Sequence, residues 1–380
     1  MPEAFRSARD DAVLLIDNET TAAVLEMPDV VEVLERAYRD LAAGEAICRP
    51  RIDMRFPTGA DEQVYQWGTM EGGSAAAGYY AIRMKSDVLS EVEYGGTRTQ
   101  EKHCVEPGTF CGLVFLLSTR TGEPLAILND GVLQHMRVGA DSAIGTKYAA
   151  RKDARVLGML GSGGMARSHL ESLLTVRPLE RVQVYSPTKA NRDRYAAQMG
   201  ERYGIEVVAV EAARDAFRGA DIVSGCTDAA ADVIIGDWLE PGTHVTCIGG
   251  RPDARAREVI DVWLRLGTAP APVSDPTWRP TDEHIAYVAR PDDAVWNQHR
   301  HGDVRRPPEG PGAPRLVTFE DVVTGADEAR TNDHEITYSE RGNIQGAQFY
   351  AVAGRVYELA RARGLGRELP TSWFLQDIRD

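Results

Sequence analysis

The chain contains 380 residues, of which 43% are hydrophobic and 26% are charged. This length and composition are typical of two or three folded domains and exclude a disordered chain. The formal charge of −14, without a cluster of Lys and Arg, argues against a nucleic-acid or membrane-surface partner. No stretch approaches the ~18 apolar residues of a membrane span, and the first residues lack the apolar core of a signal peptide. We therefore expect a cytoplasmic protein.

Cysteines and histidines give no sign of a disulfide framework or a metal site. His299 and His301 lie in a Pro-rich segment without a companion carboxylate or cysteine cluster, so we expect no metal. The five cysteines include no C-x-x-C pair, and their odd number is typical of reduced thiols: Cys48, Cys104, Cys111, Cys226 and Cys247.

The first third of the chain predicts a mixture of helix and strand. Residues 13–16 read as a strand, and the following segment has apolar residues at spacings of three and four, which indicates a helix. From about residue 50 to 130 the pattern favours β-structure, with strands at 78–84, 112–117 and 124–128. A helix rich in alanine follows from 131 to about 151.

The middle of the chain alternates strands with helices, which predicts βαβ units and a parallel sheet covered on both faces. The expected helices are 166–174, 191–203 and 212–217. The expected strands are 155–160, 182–185, 206–210, 222–225 and 244–248. The predicted fold class is therefore α/β with a doubly wound parallel sheet. Residues 268–315 are rich in Pro, Asp and His and read as a long loop or insertion, before a final helix at 345–363.

A glycine-rich turn joins the first of these strands to the first helix. It reads Gly161-Ser162-Gly163-Gly164-Met165-Ala166, which is G-x-G-x-x-A between a strand and a helix. The first glycine allows the tight turn, the second lets a pyrophosphate approach the backbone, and the alanine lets helix and strand pack closely. The helix start adds unpaired N–H groups, so the turn predicts a dinucleotide cofactor.

The end of the second strand indicates which dinucleotide binds. An NAD site usually carries Asp or Glu there to accept hydrogen bonds from the ribose. This chain has Ser186, Thr188 and Lys189 instead, with Arg192 one turn later. Hydroxyls and cations suit a 2′-phosphate, so we expect NADP(H) rather than NAD(H).

The segment before the glycine turn carries the resemblance to a known family. Residues 133–143 read LQHMRVGADSA and resemble the L-x-x-x-R-T-x-A-x-S-A segment of the ornithine cyclodeaminase/mu-crystallin family. The likeness continues through 220–223, 239–250 and 333–337. It implies a homodimer whose Rossmann-type, NAD(P)-binding domain spans 136–325. It also implies an α+β substrate-binding and dimerisation domain built from both chain ends, 1–135 and 326–380.

The resemblance implies a set of carboxylate-binding residues. Arg51 matches the family's early arginine and Arg137 the arginine of the signature segment. The family's lysine falls on Arg83, and Lys85 lies two residues on, on the same face of a strand, so either residue is a candidate for the lysine's catalytic role. Arginine forks bind a carboxylate in a fixed orientation, whereas a lysine can also titrate.

The resemblance also implies residues beside the nicotinamide. Thr227 and Gly250 follow the fourth and fifth strands and are expected to contact the cofactor. Asp228 stands near the position of the catalytic aspartate of the cyclodeaminases, and a carboxylate there would move a proton. The loop at Arg251 departs from the family's P-G-K pattern.

These features predict an NAD(P)H-dependent imine or ketimine reductase, or an amino-acid dehydrogenase. Its substrate would be a small amino or imino acid, or a 2-oxo acid plus an amine. Two alternatives stay open. One is an ornithine or lysine cyclodeaminase, an ammonia-lyase with bound NAD, although the missing acid at Ser186 counts against it. The other is an NADPH-dependent small-ligand binder like mu-crystallin.

Overall fold

Two sheets form the framework of the protein. The computed structural model describes residues 12–378 apart from 61–62, 95–96, 230, 275–283, 290–309 and 311. One sheet has eleven strands in mixed orientation, and the other has eight parallel strands. Helices pack on both, and the α/β class expected from the sequence is confirmed.

The mixed sheet runs in the order β16-β3-β4-β5-β8-β9-β1-β19, with β2, β6 and β7 paired at its sides. Its strands are β1 Val13–Ile16, β2 Ala46–Cys48, β3 Arg51–Pro57, β4 Gln63–Ser74, β5 Tyr79–Tyr94, β6 Thr97–Cys104, β7 Glu106–Pro107, β8 Cys111–Ser118, β9 Pro124–Asn129, β16 His284–Val288 and β19 Arg367–Leu369.

The parallel sheet has the order β12-β11-β10-β13-β14-β18-β15-β17. Its strands are β10 Val156–Leu160, β11 Arg181–Tyr185, β12 Glu206–Ala209, β13 Ile222–Gly225, β14 His244–Cys247, β15 Val262–Arg265, β17 Arg315–Thr318 and β18 Thr337–Glu340. The helices are α1 Asn18–Val24, α2 Met27–Ala42, α3 Gly131–Ala149, α4 Gly164–Leu174, α5 Lys189–Tyr203, α6 Ala254–Val259, α7 Phe319–Thr324 and α8 Gln345–Ala362. Short 3-10 turns occur at Ala213–Ala216, where the sequence indicated a helix, and at Gly236–Trp238 and Thr371–Trp373.

Helix α3 connects the two sheets. It packs against α2 and α8 on the side of the mixed sheet and against α4, β14 and β18 on the side of the parallel sheet. Small residues permit this close approach: a Cβ on Gly139 would lie 2.6 Å from the carbonyl oxygen of Ser168. Most of the α3 side chains are buried, so the helix has neighbours on every side and not along a single stripe.

Two segments lie elsewhere than the sequence indicated. Strand β18 pairs with β14 and β15 in the parallel sheet, so the chain does not return to the mixed sheet at residue 326 but only after Glu340. Strand β16, inside the segment 268–315 that reads as a loop, pairs in parallel with β3. The sequence missed both because strands of four or five residues give little periodic signal. Among the described helices, none is long and apolar enough to cross a membrane.

The C-terminal end of α3 is held by a buried arginine. Arg177 is 7% exposed and donates hydrogen bonds of 2.7 to 2.9 Å to five backbone carbonyls. Two of them belong to Thr146 and Lys147, near the C-terminal end of the helix, where the last carbonyls run out of helical partners. A cation at this end also complements the helix dipole.

We predict that Arg177→Met lowers the free energy of unfolding by about 2–4 kcal/mol, because buried carbonyls lose a charged donor. The matched control is Arg181→Met, which removes an exposed arginine paired with Glu206 and is expected to cost at most about 1 kcal/mol. Urea unfolding of both variants measures the difference. Equal losses would contradict this role for Arg177.

Candidate active site

The glycine turn has the geometry of a phosphate-binding loop. Gly161 has φ +118°, and a Cβ there would collide with the carbonyl oxygen of Cys226. Around the Cβ position of Gly163 there is open space, so a ligand can reach the backbone. Helix α4 begins directly after it, at Gly164, and presents its unpaired N–H groups at the same place.

The rest of the turn is fixed from behind. Ala166 is fully buried, and its carbonyl accepts a 3.0 Å hydrogen bond from the Tyr195 hydroxyl. Met165 is partly buried against the same core. The Ser162 and Ser186 hydroxyls lie 2.9 Å apart, which joins the turn to the end of β11. The residues expected to cradle the pyrophosphate are thus together.

The side chains expected at a 2′-phosphate are partly engaged with each other and with Glu211. Arg192 is buried; it donates to the Ser186 carbonyl at 3.0 Å and pairs with Glu211 at 2.6 Å. Lys189 is exposed and pairs with Asp193 at 2.9 Å. Thr188 precedes α5 without capping it through its side chain. The pattern at the end of β11 did not predict Glu211, because this carboxylate comes from the segment just after β12.

The loops after β13 and β14 meet beside the turn. Gly250 has φ +75°, and a Cβ there would lie 3.2 Å from Cγ2 of Thr227. Gly249 packs against the carbonyl of Thr227. Asp228 is exposed in the first of these loops, and no described hydrogen bond or ion pair joins it to the arginines of the site. Thr227 and Gly250, the two residues expected at the cofactor, therefore lie together. Asp228, the expected acid, has no described contact with Arg51, Arg83 or Arg137.

His135 also reaches the glycine turn, although sequence reasoning did not single it out. Its Nδ1 lies 2.8 Å from the carbonyl oxygen of Gly131, which fixes the ring. Its Nε2 lies 2.9 Å from the position of a Cβ on Gly164. The side chain therefore stands at the mouth of the phosphate-binding loop.

The mixed sheet places the other expected residues on one face. Residues opposite each other in antiparallel strands share a side, and Gly68 lies opposite both Asp53 and Lys85. Arg51 and Arg83 belong to the same side, one step along their strands. We name this side the cationic face; its charged members are Arg51, Asp53, Arg55, Arg83, Lys85 and Asp87.

Two of the expected arginines are neutralised by carboxylates. Arg51 holds Asp53 with a hydrogen bond of 2.9 Å and an ion-pair contact of 2.8 Å, and Asp53 is fully buried. Arg83 holds Asp130 with two contacts of 2.7 Å. Asp130 precedes the signature helix, and its place beside Arg83 results from its position next to Gly112, which no sequence pattern shows.

Arg137 differs from these two. Its side chain is buried at 3% exposure, and its guanidinium donates only to amide oxygens, to Gln134 at 2.7 Å and to Gln348 at 2.5 Å. Among the described residues, no carboxylate lies within ion-pair distance of it. Burial, with the nearby charges of Arg341 and Arg83, lowers the pKa of Arg137. The charge of Asp141, which accepts a 2.9 Å hydrogen bond from the amide of Gln348, opposes this shift only in part. The site thus contains a desolvated cation with no carboxylate in direct contact, which is costly unless an anion binds.

A phenyl ring joins Arg137 to the cationic face. The guanidinium carbons of Arg137 and Arg83 lie 4.9 and 5.5 Å from the ring centroid of Phe349. Phe349 is in α8, next to Gln348. This helix therefore supplies both the ring that contacts the two arginines and the amide oxygen that binds Arg137. Arg341, whose charge affects Arg137, also lines a small cavity with Ile248 at the end of β14. Arg341 thus links the surroundings of Arg137 to the carboxyl edge of the parallel sheet, where ligands of this fold bind.

Lys85 is the titratable cation of the face. Its Nζ donates to Asp87 at 3.0 Å and to Gln66 at 3.2 Å. Desolvation, followed by the charge of Arg51, lowers its pKa to about 7. The charge of this site therefore changes near neutral pH. Among the described residues no group of His, Cys, Asp and Glu could hold a metal ion.

Comparisons with known proteins identify the family. The family model for the ornithine cyclodeaminase/mu-crystallin family matches residues 93–362. That range contains Arg137, the glycine turn and Asp228, while Arg51, Arg83 and Lys85 precede it. An uncharacterized cyclodeaminase of Sinorhizobium fredii is 26% identical over 89% of this chain and 92% of its own. An alanine dehydrogenase of Archaeoglobus fulgidus is also 26% identical, over 94% of this chain and 98% of its own.

A solved structure shows the same fold. The Δ1-pyrroline-2-carboxylate reductase of Thermococcus litoralis, in complex with NADH and L-proline, superposes with a TM-score of 0.70 at 23% identity. The superposition covers 94% of this chain and all of the reductase chain. Because the family model matches most of the chain, the conclusion is plain: this protein belongs to the ornithine cyclodeaminase/mu-crystallin family.

Proposed function

We propose that this protein is an NAD(P)H-dependent oxidoreductase that acts on the C–N bond of a small imino or amino acid. The observation that carries the proposal is the buried Arg137, which is held by two glutamine amides and has no carboxylate partner among the described residues. An α-carboxylate supplies the missing charge. The reductase and dehydrogenase names of the relatives support the same reaction class.

In the proposed reaction the protein orients the substrate. A nicotinamide cofactor held at the glycine turn 161–166 would supply the hydride for Cα of the substrate. The carboxylate lies across the forks of Arg137 and Arg83, whose positions Phe349 fixes, so that Cα faces the edge of the parallel sheet. Arg51 completes the clamp, and Asp228 or Lys85 moves the imine proton.

A cyclodeaminase is the second candidate, because one relative of similar length carries that name. Such an enzyme oxidises ornithine or lysine, releases ammonia on cyclisation and returns the hydride to the ring imine. An NAD tightly held through turnover would favour an acid at the ribose, whereas Ser186 is the residue that follows β11. We therefore rank the reductase first.

We propose NADP(H) as the cofactor. The Ser186 and Thr188 hydroxyls and the Lys189 ammonium surround the end of β11, where the adenosine ribose lies in this fold. Arg192 donates a hydrogen bond to the Ser186 carbonyl and so fixes the backbone that follows β11. Glu211 is the opposing feature, since its carboxylate pairs with Arg192 and lies 3.6 Å from Lys189.

We propose further that the protein is a cytoplasmic homodimer. The side of the mixed sheet opposite the cationic face carries apolar residues such as Trp67, Ile82, Met84 and Phe115, and each of these side chains is partly exposed. A broad apolar sheet face on a protein of net charge −14 suits a second copy of the same chain. The five cysteines are free, as expected of a reducing compartment.

We predict that NADPH is consumed when a 2-oxo acid and ammonia, a 2-oxo acid and methylamine, or a cyclic ketimine is supplied, and not with a 2-oxo acid alone. Arg137→Met is expected to lower kcat/KM by about 100-fold or more, because it removes a buried charged donor to the carboxylate. NADPH should still bind. The matched control, Arg36→Met, removes an exposed arginine of α2 and should leave kcat/KM unchanged.

Absorbance of the reduced nicotinamide and fluorescence titration of NADPH provide both readouts. Ammonia release from ornithine or lysine without net change in cofactor would identify the cyclodeaminase. Bound NADPH without turnover of any imine would identify the small-ligand binder and contradict the reductase.

We predict that Glu211→Gln lowers the Kd for NADPH by about fivefold and leaves the Kd for NADH within about twofold, because it frees two cations for a 2′-phosphate. Fluorescence titration with both nucleotides measures this. Glu206→Gln is the control, since it removes a carboxylate of the same edge strand that pairs with Arg181 instead. An unchanged ratio of the two Kd values would refute the proposed NADP(H) site.

We predict that anion binding weakens as pH rises through about 7, the pKa of Lys85. The ammonium is charged below that value and neutral above it, so the site loses one cation, and affinity falls by about fivefold. Calorimetry with pyrrole-2-carboxylate on the NADPH-loaded protein measures it, because this ligand stays ionised throughout. Lys85→Arg keeps its charge and should give a flat profile. A wild-type profile as flat as that of Lys85→Arg would count against the assignment.

A further inference from the structure

We infer that the substrate carries a second acidic group, and that this group binds on the cationic face beside Gln66, Lys85 and Lys102. We name these three residues the distal subsite. The inference rests on the proposed function, because the α-carboxylate is assigned there to Arg137 and Arg83. It goes further in stating that the substrate is a dicarboxylic imino acid.

The strand register places the distal subsite next to the α-carboxylate clamp. Lys85 is two residues from Arg83 in β5, so both side chains emerge on the same side about 6–7 Å apart. Gln66 lies opposite Asp87, on the same side and one step beyond. Lys102 of β6 lies opposite Leu89 and extends the row. The spacing suits the two carboxylates of a four- or five-carbon acid.

A glycine makes room for this arrangement. Gly68 lies opposite Lys85, and a Cβ on it would stand 2.6 Å from Cε of that lysine and 2.5 Å from Oδ1 of Asp53. The Lys85 side chain therefore lies flat across the strand and not straight up from it. Its ammonium is thereby directed to Gln66 and Asp87, and one of its three N–H groups remains for a ligand.

Gln66 provides an independent sign of a ligand. The residue is 1% exposed, and its Oε1 accepts from Lys85. Its Nε2 is buried and has no hydrogen-bond acceptor in the described part of the chain. A buried amide donor without an acceptor destabilises the protein, because the group has lost its hydrogen bond to water. A carboxylate oxygen between Gln66 and Lys85 would satisfy it.

The charge of the surroundings selects an acid over an amine. Among the described side chains here, four cations, Arg51, Arg55, Lys85 and Lys102, accompany two carboxylates, Asp53 and Asp87. The strand register puts Lys102 on this side of the sheet, and desolvation followed by the charge of Arg51 lowers its pKa, although the residue is exposed. A second ammonium, as in ornithine or lysine, would meet a positive field.

The test compares succinate with butyrate, which differ by one carboxylate. Calorimetry on the full-length, NADPH-loaded protein should give a Kd about tenfold lower for succinate. Gln66→Leu and Lys102→Met should each raise the succinate Kd by about fivefold to tenfold. Neither should change that of butyrate by more than about twofold. The control is Lys152→Met, an exposed lysine after α3 and outside the cationic face, which should change neither Kd.

A kinetic arm separates this inference from the proposed function. With ammonia and NADPH, oxaloacetate and 2-oxoglutarate should exceed pyruvate and 2-oxobutyrate in kcat/KM by about tenfold or more. Equal rates with mono- and dicarboxylic acids would overturn the distal subsite and leave the reductase intact. Absence of any NADPH consumption would overturn the reductase, and the calorimetry would still decide the subsite. Succinate binding no tighter than butyrate, or no binding of either, would overturn it.

Discussion

The arrangement of the site depends on one buried cation that has no carboxylate in direct contact among the described residues. Arg137 is held by the amide oxygens of Gln134 and Gln348 and lies over Phe349, which also contacts Arg83. Amide oxygens satisfy N–H groups but do not neutralise a charge, so the folded protein carries an electrostatic cost. Binding of a carboxylate removes this cost, so the cost contributes to the affinity for the substrate. The fixed guanidinium also orients the rest of the substrate, because an arginine binds a carboxylate through two parallel hydrogen bonds in one orientation.

Several elements of the fold hold this arginine in place. Helix α3 carries Arg137 between two sheets, and α8 returns from the far end of the chain to supply its contacts. Arg177 secures the C-terminal end of α3 through the carbonyls of Thr146, Lys147 and Ala150, so a shift of the helix would break buried hydrogen bonds. The cofactor turn at α4 packs on the same helix. Substrate clamp and nucleotide loop are therefore held by one rigid element.

The sequence predicted the features that local patterns encode. Alternating strands and helices indicated the parallel sheet, and glycines at fixed spacing located the turn after β10, because tight backbone geometry restricts residue type. Contacts between distant segments could not be predicted, because they depend on strand register and helix packing. Examples are the contacts of Asp130 with Arg83, of Glu211 with Arg192 and of Gln348 with Arg137. The roles of Asp228 and Lys85 likewise depend on neighbours that no spacing reveals.

The most direct measurement is a crystal structure with NADPH and pyrrole-2-carboxylate, a planar imino-acid analogue that cannot accept hydride. The account predicts carboxylate oxygens within hydrogen-bond distance of the Arg137 guanidinium, with the ring facing the C4 atom of the nicotinamide. A carboxylate bound elsewhere, with Arg137 still donating only to Gln134 and Gln348, would contradict the central claim.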